Sequence, residues 1–126
     1  ILSSDGIQTN VSLIFSPNQA LLAALAGATY VSPFINNIDD NGVEGISLIK
    51  DIKTIFDQYV FDTQIITSSI KNPNHVTLTS KVGSDIGSIP YSVLKQMFRH
   101  PLTDSGLKKY LEDVQTSNTY KVAQGV

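Results

Sequence analysis

Four times in this 126-residue chain a short run of β-branched and apolar residues is followed by a helical pattern, and that repeat narrows the possible folds more than any other feature. Thr9 to Phe15 reads as a strand, because such side chains fit a pleated, half-buried surface. Ser16-Pro17 follows as an N-cap with proline at the first helical position, where its missing N–H has no partner to lose. The spacing predicts a helix over Pro17 to Ala26, with Leu21, Leu22 and Leu25 at helical intervals and Gly27 to end it. In the second unit Thr29 to Ile35 is the strand, with Pro33 near its end because a mid-strand proline deletes a ladder bond. A polar loop, Asn36 to Gly45, leads to a longer helix on which Ile46, Ile49, Ile52, Ile55 and Phe56 recur at three-to-four spacing.

The third unit is Thr63 to Ile70, then Asn72-Pro73 opening a helix that holds His75 and Val76 and runs through Val82, with Gly83 as its stop. Ser84 to Ile89 is a fourth strand, weakened by Gly87, and Pro90 begins a helix with Val93, Leu94, Met97 and Phe98 on its face. Pro101 breaks that helix. Thr103-Asp104 can cap a last one through roughly Val114, with Leu107, Tyr110, Leu111 and Val114 as its apolar stripe.

Strands alternating with helices imply an α/β fold with a parallel sheet and right-handed crossovers, and short uniform strands favour a (β/α)8 TIM barrel over a wide open sheet. Complete barrels usually need about 250 residues, so residues 1–114 are expected to form half of one barrel domain and residues 115–126 a tail. Such a half alone leaves two strand edges and an apolar face uncovered, and calls for its missing segment or a second copy. The chain opens at Ile1 without methionine or a basic leader, and its first residues read as a helix tail stopped by Gly6, as in a piece of something longer.

Charge and composition exclude several function classes. A net charge of -2, a pI near 5.5 and the lack of any basic run disfavour nucleic acid and anionic membranes as partners. With no cysteine and only His75 and His100 as imidazoles, a disulfide framework is impossible and a metal-free protein is expected. The longest apolar run, Ala20 to Ala28, is broken by Gly27 and falls well short of the ~20 residues of a membrane span. A cytoplasmic location fits best.

Thr9-Asn10-Val11-Ser12-Leu13-Ile14-Phe15-Ser16, Gln19-Ala20, Ala26-Gly27-Ala28 and Val31-Ser32-Pro33-Phe34 together resemble the small transaldolases and their relatives, the fructose 6-phosphate aldolases. The likeness continues through Ile65 to Pro73, Ser88-Ile89-Pro90 and Pro101 to Asp104, and so covers nearly all of the chain from Asp5 to about Asp113. It implies the last four β/α units of the barrel plus a C-terminal helix, and ring-shaped homo-oligomers, often pentamers paired into decamers. It also implies transfer of a dihydroxyacetone unit from a ketose phosphate to an aldose phosphate through a lysine imine, with no cofactor. The matching stretch begins after the strand that bears the family's lysine, so the nucleophile is expected just upstream of Ile1. None of the eight lysines present suits that role: seven read as solvated helix or tail residues, and Lys71, after a strand's C-terminal end, suggests phosphate recognition instead. Open alternatives are an aldolase that releases free dihydroxyacetone and an inactive half-barrel.

Asn10 and Ser12, two apart on a strand, share a face. By resemblance Asn10 contacts substrate hydroxyls and Ser12, where the family commonly has threonine, helps hold a proton-shuttling water. Taken without the resemblance, such a pair more often satisfies neighbouring backbone. Ser32 and Phe34 form a second same-face pair; the aldolase branch has tyrosine at the position of Phe34, so phenylalanine favours transaldolase. Ser69 and Lys71 match the family's phosphate-binding pair, a hydroxyl donor and a cation, with lysine in place of the frequent arginine. A second phosphate-binding arginine is expected where this chain has Asn37, which removes a full positive charge. His75 reads as a partly exposed structural histidine, and Asp39-Asp40 as a solvated loop that caps the following helix.

Overall fold

Each β-rich run lies beside the next. The structure, a computed structural model, describes residues 2–35 and 43–117. Its elements are β1 (Asn10–Ile14), α1 (Pro17–Leu25), β2 (Tyr30–Pro33), α2 (Val43–Tyr59), β3 (Gln64–Thr67), α3 (Pro73–Lys81), β4 (Ile86–Gly87), α4 (Tyr91–Met97) and α5 (Pro101–Thr116). The four strands form one sheet in the order β1-β2-β3-β4, every neighbouring pair parallel. Each crossover therefore steps to the adjacent strand in the same direction, which for right-handed connections puts the helices on one face. In keeping with this, α1 packs on β1 and β2 and against α2, while α2 packs on β3 and against α3.

Strand alternation then gives the sheet two unlike faces. Val31, Pro33, Ile65 and Thr67 point to the helix layer and are buried, and Val31 and Ile65 join Ile49, Ile52 and Phe56 of α2 and the alanines of α1 in one core. The other face carries Asn10 and Ser12 beside Tyr30 and Ser32, with Gln64 and Ile66 next along. There Asn10, Ser12 and Gln64 are exposed.

Local signals explain the helix ends. Ser16 and Asn72 each accept a backbone N–H three residues on, at Gln19 and His75, and a proline follows each cap. Gly27 and Gly83 stop α1 and α3 with φ of +84° and +89°, which a Cβ would penalise.

Four expectations need correction. The buried face of α1 is Ala20, Ala23 and Ala24, whereas Leu22 and Leu25 are 67% and 66% exposed; small side chains let the helix backbone lie close to the sheet. Helix α2 begins at Val43, so Gly45 is helical, and a Cβ there would stand 2.1 Å from the Ile35 carbonyl oxygen. Strand β4 keeps only Ile86 and Gly87, for a reason given below. Helix α4 has already ended at Met97, Pro101 instead starts α5, and the cap is His100, whose Nδ1 accepts the Leu102 N–H at 3.2 Å.

The chain divides into two compact units, residues 1–94 with the sheet and α1 to α3, and residues 95–126 with α5. No helix among the described residues is long and apolar enough to cross a membrane.

Candidate active site

The open face of the sheet is organised around β1 and β2. Ser12 is the register partner of Ser32, and the Ser32 hydroxyl donates to Asn10 Oδ1 at 2.9 Å, so three of the residues singled out in the sequence share one face. Ser32 is only 3% exposed, and the bond answers the cost of burying its hydroxyl. With Oδ1 engaged, the Asn10 amide is held in one orientation with its NH2 donors available, and the Ser12 hydroxyl stands exposed beside it. Such a pair can orient a polyol and hold a water.

The alternation of β1 does not run to its end. Leu13 has φ +58°, and the register slips between Ser12, opposite Ser32, and Ile14, opposite Pro33. This bulge inserts one residue, turning Ile14 from the face of Asn10 and Ser12 into the core, where it is 2% exposed. Leu13 itself is 60% exposed. The bulge keeps the open face polar at Ser12 and anchors the strand end. Beyond it the Phe15 N–H donates to Gln19 Oε1 at 2.8 Å, and the Phe15 and Phe34 rings lie 5.9 Å apart, tilted by 42°.

A second group forms at the C-terminal ends of β2 and β3. Phe34 bridges Ser68: the Ser68 N–H donates to the Pro33 carbonyl at 2.9 Å and the Ile35 N–H to the Ser68 carbonyl at 3.2 Å. Ser69 follows with φ +64°, Ile70 is buried, and Lys71 is exposed just before the Asn72 cap of α3. Leu13, Val60 and Ser69 are the left-handed non-glycine residues among the described residues, and two of the three border these groups, as backbone strain tends to do near functional sites. His75 departs from its expected exposure: it is 5% exposed, and its Nδ1 accepts the Lys71 backbone N–H at 3.4 Å.

Asn37 and the Asp39-Asp40 pair lie outside the described residues. Among the described residues no group of three His, Asp or Glu side chains is placed to hold a metal ion. Two clefts, of about 690 and 410 Å³, open at the N-terminal ends of the strands, beside Thr9 and Asn10 in one case and Thr29 and Thr63 in the other. Asn10 lines the larger cleft, while Ser12, Ser32, Phe34, Ser69 and Lys71 line neither. In parallel α/β folds ligands bind at the opposite, C-terminal ends, so these clefts are read as packing features.

Sequence reasoning missed the supports. Gln19 was legible only as part of a family pattern, and the bulge at Leu13 leaves no composition signal. Ser84 and Asp85, read as strand, instead satisfy Ile65 with their side chains: the Ile65 N–H donates to Asp85 Oδ2 at 2.8 Å, and the Ser84 hydroxyl donates to the Ile65 carbonyl at 3.3 Å. They take the place of a longer β4.

The family model described as transaldolase/fructose-6-phosphate aldolase matches residues 1–125. Similar curated proteins include one named "Probable transaldolase" from Thermodesulfovibrio yellowstonii, 56% identical over 112 residues, which are 89% of this chain and 52% of that protein. Another of that name, from Carboxydothermus hydrogenoformans, is 58% identical over 114 residues, 90% of this chain and 53% of its own. A third, from Aquifex aeolicus, is 55% identical over 112 residues, 89% of this chain and 52% of its own. The chain thus spans about half the length of the curated relatives it matches.

Proposed function

The chain belongs to the transaldolase/fructose-6-phosphate aldolase family, and on that premise we propose that it supplies the last four β/α units of a (β/α)8 barrel transaldolase. The observation that carries the reading is the Ser32–Asn10 hydrogen bond beside Ser12, on the sheet face where Asn10 and Ser12 are exposed. The fold supports it: four parallel strands in sequence order with helices on one side form an arc whose bare face is enclosed if four more units complete a barrel.

In this reading the enzyme moves a dihydroxyacetone unit from a ketose phosphate to an aldose phosphate, through an imine on a lysine contributed by the rest of the barrel. None of the described lysines is buried, as a nucleophile with a depressed pKa would need to be, so the chain alone is inactive. Asn10 orients substrate hydroxyls, Ser12 and Ser32 hold the water that passes protons, and Phe34 leaves the water network without a phenol, which favours transfer over release of free dihydroxyacetone. Ser69 and Lys71 bind the substrate phosphate, and Asn37 stands in the sequence where the family resemblance calls for a second phosphate-binding arginine. The reaction needs no cofactor, and its partners are sugar phosphates and further copies of the protein in a pentamer or decamer, in the cytoplasm.

Borohydride reduction in the presence of fructose 6-phosphate tests the reading. The full-length protein should gain a reduced three-carbon adduct on a lysine outside this chain, and erythrose 4-phosphate should discharge the imine before reduction. Trapping on Lys71, or no trapping in a folded full-length protein, would overturn it.

A further inference from the structure

The turn between β3 and α3 is fixed at both ends, and one of its holders has no assigned role. Upstream, Ser68 is locked to β2 by its bonds with Pro33 and Ile35. Ser69 then adopts φ +64°, a conformation that a residue with a Cβ keeps only where its neighbours over-determine it. Downstream, Ile70 is 1% exposed in the core, and the Lys71 N–H is held by His75 Nδ1. The His75 backbone is fixed in turn, since its N–H donates to Asn72 Oδ1 at 2.9 Å. Because the imidazole is 5% exposed, water has poor access to replace it as acceptor. An Nδ1 that accepts an N–H carries no proton, so the ring proton sits on Nε2.

We infer that His75 is a positioning residue for phosphate recognition: its Nδ1 anchors the Lys71 backbone and so holds Ser69 left-handed, presenting the Ser69 hydroxyl and the Lys71 ammonium together. The inference rests on the reading of Ser69 and Lys71 as the phosphate site. It makes His75 part of the binding apparatus although the imidazole is buried, and it explains why a polar ring occupies a helix position that faces the core. The turn is thus built before the ligand arrives, and phosphate binding is spared the ordering of three backbone residues.

The test compares His75→Asn with His75→Gln in the full-length protein, using inorganic phosphate as the probe in calorimetry and crystal structures to read the turn. Asparagine carries an acceptor close to the place of Nδ1, whereas glutamine places its amide nearer Nε2. His75→Gln should weaken phosphate binding about five- to tenfold, the worth of one hydrogen bond, and shift Ser69 out of the left-handed region. His75→Asn should stay within about twofold of the parent. Wild-type phosphate affinity and an unmoved turn in His75→Gln would overturn the inference. If His75→Gln fails to fold, nitrogen-15 spectra of the parent decide, because a proton on Nδ1 would be incompatible with the proposed bond. Failure of the parent itself to bind phosphate would remove the phosphate reading, and the crystal structures would still show whether His75 holds the turn.

Discussion

Asp85→Ala tests whether side chains really replace a strand at the edge of the sheet. In the native chain Ile66 pairs with Ile86, but one residue earlier the β4 side of Ile65 meets Asp85 and Ser84 side chains in place of backbone. The Ile65 side chain is fully buried, so an N–H left without its carboxylate at that position is poorly served by water. A hydrogen bond to a charged group is worth about 1.5–3 kcal/mol, and since Asp85 is itself exposed we take about 2 kcal/mol for its removal. Asp85→Asn keeps a neutral acceptor of the same shape, and charge-assisted bonds are roughly twice as strong as neutral ones, so about 1 kcal/mol is expected. With a urea m-value of about 1.5 kcal/mol/M, the midpoint should fall by about 1.3 M for alanine and about 0.7 M for asparagine. Exchange of the Ile65 amide should quicken by about 30-fold in Asp85→Ala, the equivalent of 2 kcal/mol. A midpoint within about 0.3 M of wild type in Asp85→Ala, or an asparagine variant no better than alanine, would refute the reasoning.

Four further substitutions probe other parts of the molecule. Gly45→Ala should destabilise by about 2 kcal/mol in thermal melts, because its Cβ would stand 2.1 Å from the Ile35 oxygen; a stabilisation, as in an exposed helix, would contradict the close approach. In the full-length enzyme Asn10→Ala and Ser32→Ala should each lower kcat/KM about 10- to 100-fold and couple by about 1 kcal/mol in a double-mutant cycle, whereas strictly additive losses would mean that their bond is idle. Lys71→Ala should raise KM for a phosphorylated ketose about 10- to 100-fold and leave an unphosphorylated substrate unaffected, measured by steady-state kinetics on both.

Features set by local chemistry could be read from the residues. Ser16-Pro17 and Asn72-Pro73 start helices because a capping oxygen and a proline at the first position act within one turn, and Gly27 and Gly83 stop them for an equally local reason. The periodic isoleucines named the core face of α2, and the two-residue spacing of Asn10 and Ser12 placed both on one face of β1. The family likeness, rather than any pattern of spacing, marked Ser69 and Lys71.

What escaped depends on partners far apart in the chain. The leucines of α1 are more apolar than its alanines, yet the alanines face the sheet, because the layer spacing rewards small side chains there. Leu13 turns left-handed only because Ile14 must reach the core while Ser12 stays opposite Ser32, a conflict that exists only once β1 lies beside β2. His75, judged alone, is a polar residue near a helix start, and its burial and bond to Lys71 follow from how α3 closes over the end of β3. The sequence by itself determined the alternation of elements, their caps and stops, and the polar pair on β1, since these act over a few residues. Tertiary structure alone decided which strands pair, which way Ile14 points and what Asn10 and His75 touch, since those outcomes depend on backbone groups that meet only after the chain has folded back on itself.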